Sequence, residues 1–162
     1  MNHEHKSRLV EAMYQVHDSP DLDIYGTTIF GRPIRKSWKL FRHIVRVAEA
    51  GNWGWSNDQE RASYPGKVEV PTFEEFATFM CHEAAHGWCH FLKNEPVLRN
   101  YPTGVDEEQV CWDVSKLVCE MLGISYQAEL AELSHQFHRL VLANDIEGLE
   151  RLVEKMPAHL QR

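Results

Sequence analysis

The sequence predicts an α+β domain that is mostly helical, with a short β-sheet beside two long helices. Three observations carry that expectation. Apolar residues recur three and four apart along most of the chain, the spacing of amphipathic helices. β-Branched and alternating residues are confined to short runs bracketed by Gly and Pro. The 162 residues, 43% hydrophobic and 25% charged, have the size and composition of one compact domain with its own core.

A first helix is expected from Lys6 to His17, with Leu9, Met13 and Val16 at helical spacing, and "HDSPDLD" ends it. "IYGTTIFGRPI" sets short β-branched runs between Gly26, Gly31 and Pro33 and reads as a strand or turn. A second helix is expected from Ser37 to Ala50, stopped at Gly51. "GNWGWSNDQERASYPG" has Gly, Asn and Ser in turn positions and reads as a loop with Trp53 and Trp55 exposed. "KVEVP" is expected as a short strand with Val68 and Val70 on one side and Pro71 closing it. "PTFEEF" starts a helix: Thr72 caps it and Glu75 completes a capping box. Phe73, Phe76, Phe79, Met80, Ala84 and Trp88 continue it as a long, half-buried helix, broken by "KNEPVLRNYPTG". The next helix runs from about Asp106 to Leu122, with Val110, Val114, Leu117, Val118 and Met121 on one face and Gly123 past its end. Two amphipathic helices divided near Asn144 to Ile146 complete the chain, 1–162, as a single domain without internal repeats.

The net charge of -7 argues against a phosphate backbone as the main partner. "IRKSWKLFRHIVR", residues 34–46, is the one cationic stretch, and it reads as the wet face of a helix. No run of 18 apolar residues exists and the amino terminus lacks a signal-peptide pattern, so a cytoplasmic protein that spans no membrane is expected. Cys81, Cys89, Cys111 and Cys119 lie inside helical patterns and read as buried thiols.

The chemistry concentrates in "FMCHEAAHGWCHF". His82, Glu83 and His86 spell HExxH, which on a helix aims two imidazoles at one ion with a carboxylate beside it. Neutral nitrogen ligands and an adjacent base suit one Zn2+ per chain. The third ligand is expected downstream. His90 sits too far along the axis at about 1.5 Å per residue, and Cys81 points about 100° away from His82. A metzincin is excluded because Cys89 and Leu92 stand where Gly and a third His are required. Glu107 and Glu108 remain. Glu107 precedes Val110, Val114, Leu117 and Met121 by three, seven, ten and fourteen residues and so shares their stripe, which makes it the expected ligand. Glu108 is then a rim acid, and Asp113 is placed to orient a histidine's outer nitrogen.

A histidine pair with a glutamate from the following helix is the gluzincin arrangement. "KVEVPTFEEFATFMCHEAAHGW" and "EEQVCWDVSKLVCEMLGI" resemble the metallopeptidase domain of ArdC-type antirestriction proteins and, more distantly, the ImmA/IrrE peptidases. The resemblance covers about Lys67 to Ile124. It implies a zincin-like core at about 64–124 with a helical tail over 125–162, zinc on His82, His86 and Glu107, and Glu83 as general base. The function expected is hydrolysis of peptide bonds in a specific intracellular protein target. The rival is a catalytically silent domain of the same fold that binds a protein partner or single-stranded DNA, using residues 34–46 with Trp53 and Trp55. Tyr64, Tyr101, His135 and His138 are open candidates for the oxyanion donor. The "KVEVP" strand is expected to pair with an extended substrate.

Overall fold

A computed structural model describes residues 2–17, 28–29, 32–33, 47–92, 107–157 and 160. They are mostly helical with small sheets, the α+β class that the sequence predicts. In chain order the elements are α1 (Asn2–His17), β1 (Thr28–Ile29), β2 (Arg32–Pro33), β3 (Ala48–Ala50), β4 (Gly54–Ser56), β5 (Arg61–Pro65), α2 (Phe73–Leu92), α3 (Glu107–Met121), α4 (Ala128–Leu142) and α5 (Ile146–Val153).

β1 and β2 pair as a small antiparallel ribbon, Thr28 opposite Pro33 and Ile29 opposite Arg32, within the stretch read as strand or turn. The other sheet has the order β3-β5-β4 and corrects three expectations. Of the helix expected over 37–50, residues 37–46 lie outside the described residues, and Ala48–Ala50 is strand β3, parallel to β5 with Ala48 opposite Ser63. The stretch read as a loop holds β4 and β5, antiparallel with Trp55 opposite Ala62. The expected "KVEVP" strand is irregular backbone. In each case long-range pairing overrides local propensity: β5 takes partners on both sides, whereas Val70 is fully buried without joining the sheet.

Asn2 secures Val70. Its side-chain amide donates to Pro65 O at 2.7 Å and Val68 O at 2.9 Å, and its Oδ1 accepts from Val70 N at 2.8 Å. Helix α1 therefore begins earlier than the expected Lys6, docked on the segment that leads into α2, with Leu9 and Met13 buried beneath it.

Helix α2 starts as predicted: Glu75 N donates to Thr72 Oγ1 at 3.2 Å. It is more enclosed than the half-buried helix expected, since every residue from Phe76 to Ala85 is buried. The cause is its position, packed against α1, β4, β5 and α3 together. Phe76 and Phe79 meet Trp53, with ring centroids 5.5 Å apart in each case, and Phe76 meets Tyr64 edge-on at 5.2 Å. Trp53 is thus buried, contrary to the exposure expected of it, and Tyr64 is a core residue. Trp55 lies over Gly87, where a Cβ would come within 2.5 to 2.8 Å of the indole ring. Glycine at this position lets β4 approach the motif.

Helix α3 ends as expected at Gly123, whose φ of 68° permits a Schellman closure with Ile124 N donating to Cys119 O at 2.8 Å. Ser115 Oγ donates to Thr78 O at 2.6 Å, which fixes α3 to α2 close to the motif. The tail forms α4 and α5, divided at 143–145 as expected; Asp145 caps α5 by accepting from Gly148 N at 2.9 Å. Among the described residues no helix is long and apolar enough to cross a membrane.

Candidate metal centre

His82 and His86 lie one helical turn apart on α2, and the start of α3 brings carboxylates to both. His82 is fully buried, and its ring stacks on Trp112 with centroids 3.7 Å apart. His82 Nε2 is 3.0 Å from Glu108 Oε2, His86 Nε2 is 3.0 Å from Glu108 Oε1, and the two Nε2 atoms are 3.2 Å apart. Glu107 lies on the other side of His86, with Oε1 3.1 Å from Nδ1.

The carboxylate that converges with both imidazoles is therefore Glu108, where the stripe argument had nominated Glu107. The buried face of α3 explains the difference. It contains Cys111, Ser115 and Cys119 as well as Val110, Trp112, Val114 and Val118, whereas Leu117 and Met121 are only partly buried. Counting the small polar residues turns the stripe toward Glu108, which precedes Cys111 by three and Ser115 by seven. The sequence signal was present in those residues, but their polarity kept them out of an apolar count. Glu107, with 43% of its side chain exposed, takes the orienting position that the sequence offered to Asp113. Asp113 instead accepts from Gln109 Nε2 at 3.0 Å on an exposed surface.

Protonation follows from these contacts. Burial lowers the His82 pKa against the pull of Glu108, so that ring is neutral. It donates Nε2–H to Glu108, and its Nδ1 has no hydrogen-bond partner. Burial also opposes charge on His86, but hydrogen bonds to Glu107 and Glu108 outweigh it and raise the pKa to about 10. The ring is an imidazolium donating from both nitrogens. Glu108 is held well below the carboxylate range, because its two histidine partners outweigh its own burial. Two N–H donors converging on one carboxylate are what a metal-ligand set becomes when protons occupy the cation's place.

The donor set fits a zinc ion. Ligands about 2.0 Å from a tetrahedral ion are about 3.3 Å from one another. The two Nε2 atoms, 3.2 Å apart, are close to that value. Each meets a different oxygen of Glu108 at 3.0 Å, and one ligand atom from each of the three residues lies within 4.8 Å of the others. Glu107 on Nδ1 of His86 supplies the outer partner that ligating imidazoles commonly have. Glu83 is 2% exposed, and its charge favours the protonated form of both rings.

The remaining candidates fall elsewhere. Tyr101 and the cationic stretch 34–46 lie outside the described residues, and His135 is buried on α4. All four cysteines are buried free thiols, as the sequence predicts. Comparison of the chain with protein-family models, curated proteins and solved structures finds no match.

Proposed function

We propose that the protein is a zinc-dependent metallopeptidase of the gluzincin type, binding one zinc ion through His82, His86 and Glu108. The observation that supports this most is the convergence of both motif imidazoles on the Glu108 carboxylate, with ligand atoms of His82, His86 and Glu108 within 4.8 Å of one another. A zinc ion in that position supplies a Lewis acid for a scissile carbonyl and a water of lowered pKa. With the ion bound, Glu83 would serve as the general base toward its water and return the proton to the leaving amine. Its burial restricts competing solvent. Glu107 holds Nδ1–H of His86, so that Nε2 of that ring is directed at the ion. Trp112 keeps the plane of His82 fixed by stacking. The substrate is a protein or peptide, and a cytoplasmic location goes with that reading.

The test combines zinc content with cleavage of a mixture of fluorogenic peptides. Native protein is expected to hold at least one zinc and to cleave. Glu83→Gln is expected to keep the zinc and lose about 10²-fold or more in rate, the typical worth of a general base. Native protein that holds zinc and cleaves nothing would leave the silent binding domain as the better reading.

A further inference from the structure

His86 presents a second nitrogen, and a second group of donors gathers around it. The ligand atoms of His86, Glu107 and Cys111 all lie within 4.8 Å of one another. The Cys111 thiol is also hydrogen-bonded to that of Cys89. Helical spacing explains the grouping: Cys89 follows His86 by three residues on α2, and Cys111 follows Glu107 by four on α3, so each helix turns both of its donors to one side. One helix offers nitrogen and sulfur, and the other offers oxygen and sulfur. Both thiols are buried, Cys89 at 6% and Cys111 at 0% exposure, while the half-exposed Glu107 marks a route from solvent.

The other cysteine pair is an internal control. Cys81 and Cys119 also share a hydrogen bond, but their polar neighbours are the hydroxyls of Thr78 and Ser115. A thiol pair among hydroxyls is adequate core packing. A thiol that converges with an imidazole nitrogen and a carboxylate is a mixed sulfur, nitrogen and oxygen donor set suited to a soft divalent ion.

We propose that Cys111, Glu107 and Nδ1 of His86 form a second metal site, selective for a thiophilic divalent cation such as zinc, with the Cys89 thiol beside Cys111. It lies on the opposite nitrogen of the ring that serves the first site. Binding releases the Cys111 thiol proton and the Nδ1 proton of His86 to solvent. With both sites filled, the His86 ring bridges the two ions as an imidazolate; with only one filled, it keeps its proton on the other nitrogen.

Cobalt(II) titration of the metal-free, reduced full-length protein tests this, because only the second site contains sulfur. An intense sulfur-to-cobalt absorption in the near ultraviolet is expected, lost in Cys111→Ser, weakened in Cys89→Ser and unchanged in Cys81→Ala. Far-ultraviolet circular dichroism confirms that each variant is folded. Glu108→Gln separates the two sites: if it removes the weaker visible bands of nitrogen and oxygen ligation but leaves the sulfur band, the second site stands independently of the first. Cobalt binding without sulfur absorption, or sulfur absorption that survives Cys111→Ser, would overturn the proposal. No cobalt binding at all would overturn both sites.

Discussion

Exchanging Glu107 and Glu108 for glutamine, one at a time, separates the ligand from the residue that orients it. Glu108 meets Nε2 of both histidines at 3.0 Å, whereas Glu107 meets only Nδ1 of His86 at 3.1 Å and is largely solvated. Removing a partner of the outer nitrogen typically costs about 10 to 100-fold in metal affinity, or about 1.4 to 2.7 kcal/mol. Glu107→Gln should fall in that range and keep its zinc at micromolar concentrations. Glu108→Gln removes the proposed ligand and its negative charge, so its loss should exceed about 100-fold; made together with Cys111→Ser, which removes the second site, it should leave the protein without zinc in the same buffer. The metal-free protein responds as well. A glutamine amide can accept from one histidine but turns its NH2 toward the other, which loses a charge-assisted hydrogen bond and buries a facing donor pair at a cost of roughly 3 kcal/mol. Competition against a chromophoric chelator measures the affinities, and thermal unfolding of metal-free protein measures the stability. In the Cys111→Ser background, zinc retained in Glu108→Gln but stripped by Glu107→Gln would refute the assignment and restore the ligand that the apolar stripe suggests.

The metal-free protein should also lose stability as pH rises. The folded His86 pKa of about 10 lies above its free value of 6.5, so its contribution is complete below about 6.5 and lost as pH rises through about 10. Glu108, depressed below 4.5, contributes above that value and loses its effect as pH falls toward its folded pKa. Zinc competes with the His86 proton, so its affinity should rise over pH 6.5 to 10 by up to about tenfold per unit; pH-independent binding would contradict this protonation scheme. Gly87→Ala places a Cβ within 2.5 to 2.8 Å of the Trp55 ring and should cost about 1–3 kcal/mol, with a changed near-ultraviolet dichroism. An unchanged melting temperature and spectrum would mean that Trp55 is not seated there. Asn2→Ala removes three side-chain hydrogen bonds and should cost about 2–4 kcal/mol in chemical denaturation, while wild-type stability would rule out the docking of α1 described above.

The helices were legible in the sequence because their information is local. The Thr72 cap, the repeat from Phe73 to Ala84 and the Gly123 stop each lie within a few residues of the structure they specify. The sheet was not legible, because β5 owes its place to Ala48–Ala50 on one side and Gly54–Ser56 on the other, and the first of these reads as helix by composition. Trp53 stands among turn residues and gives no hint that it faces Phe76 and Phe79. At the candidate metal centre, HExxH put His82 and His86 on one helix face, but choosing between adjacent glutamates required the true axis of the α3 interface. That axis runs through cysteine and serine, whose small size lets the helices approach.

The Asn2 clamp has a kinetic consequence for this architecture. It joins positions 63 to 68 residues apart, and closing a loop that long costs roughly 4 kcal/mol in chain entropy. Its hydrogen bonds about offset that cost, so burial of Leu9 and Met13 determines whether α1 stays docked. Helix α2, capped by its own Thr72, needs no such distant partner to begin forming. The expected order is that α2 and α3 associate first and the amino-terminal helix joins last. In native-state hydrogen exchange the amides of α1 should open ahead of those around His82, allowing the amino-terminal helix to detach while the histidine helix remains intact.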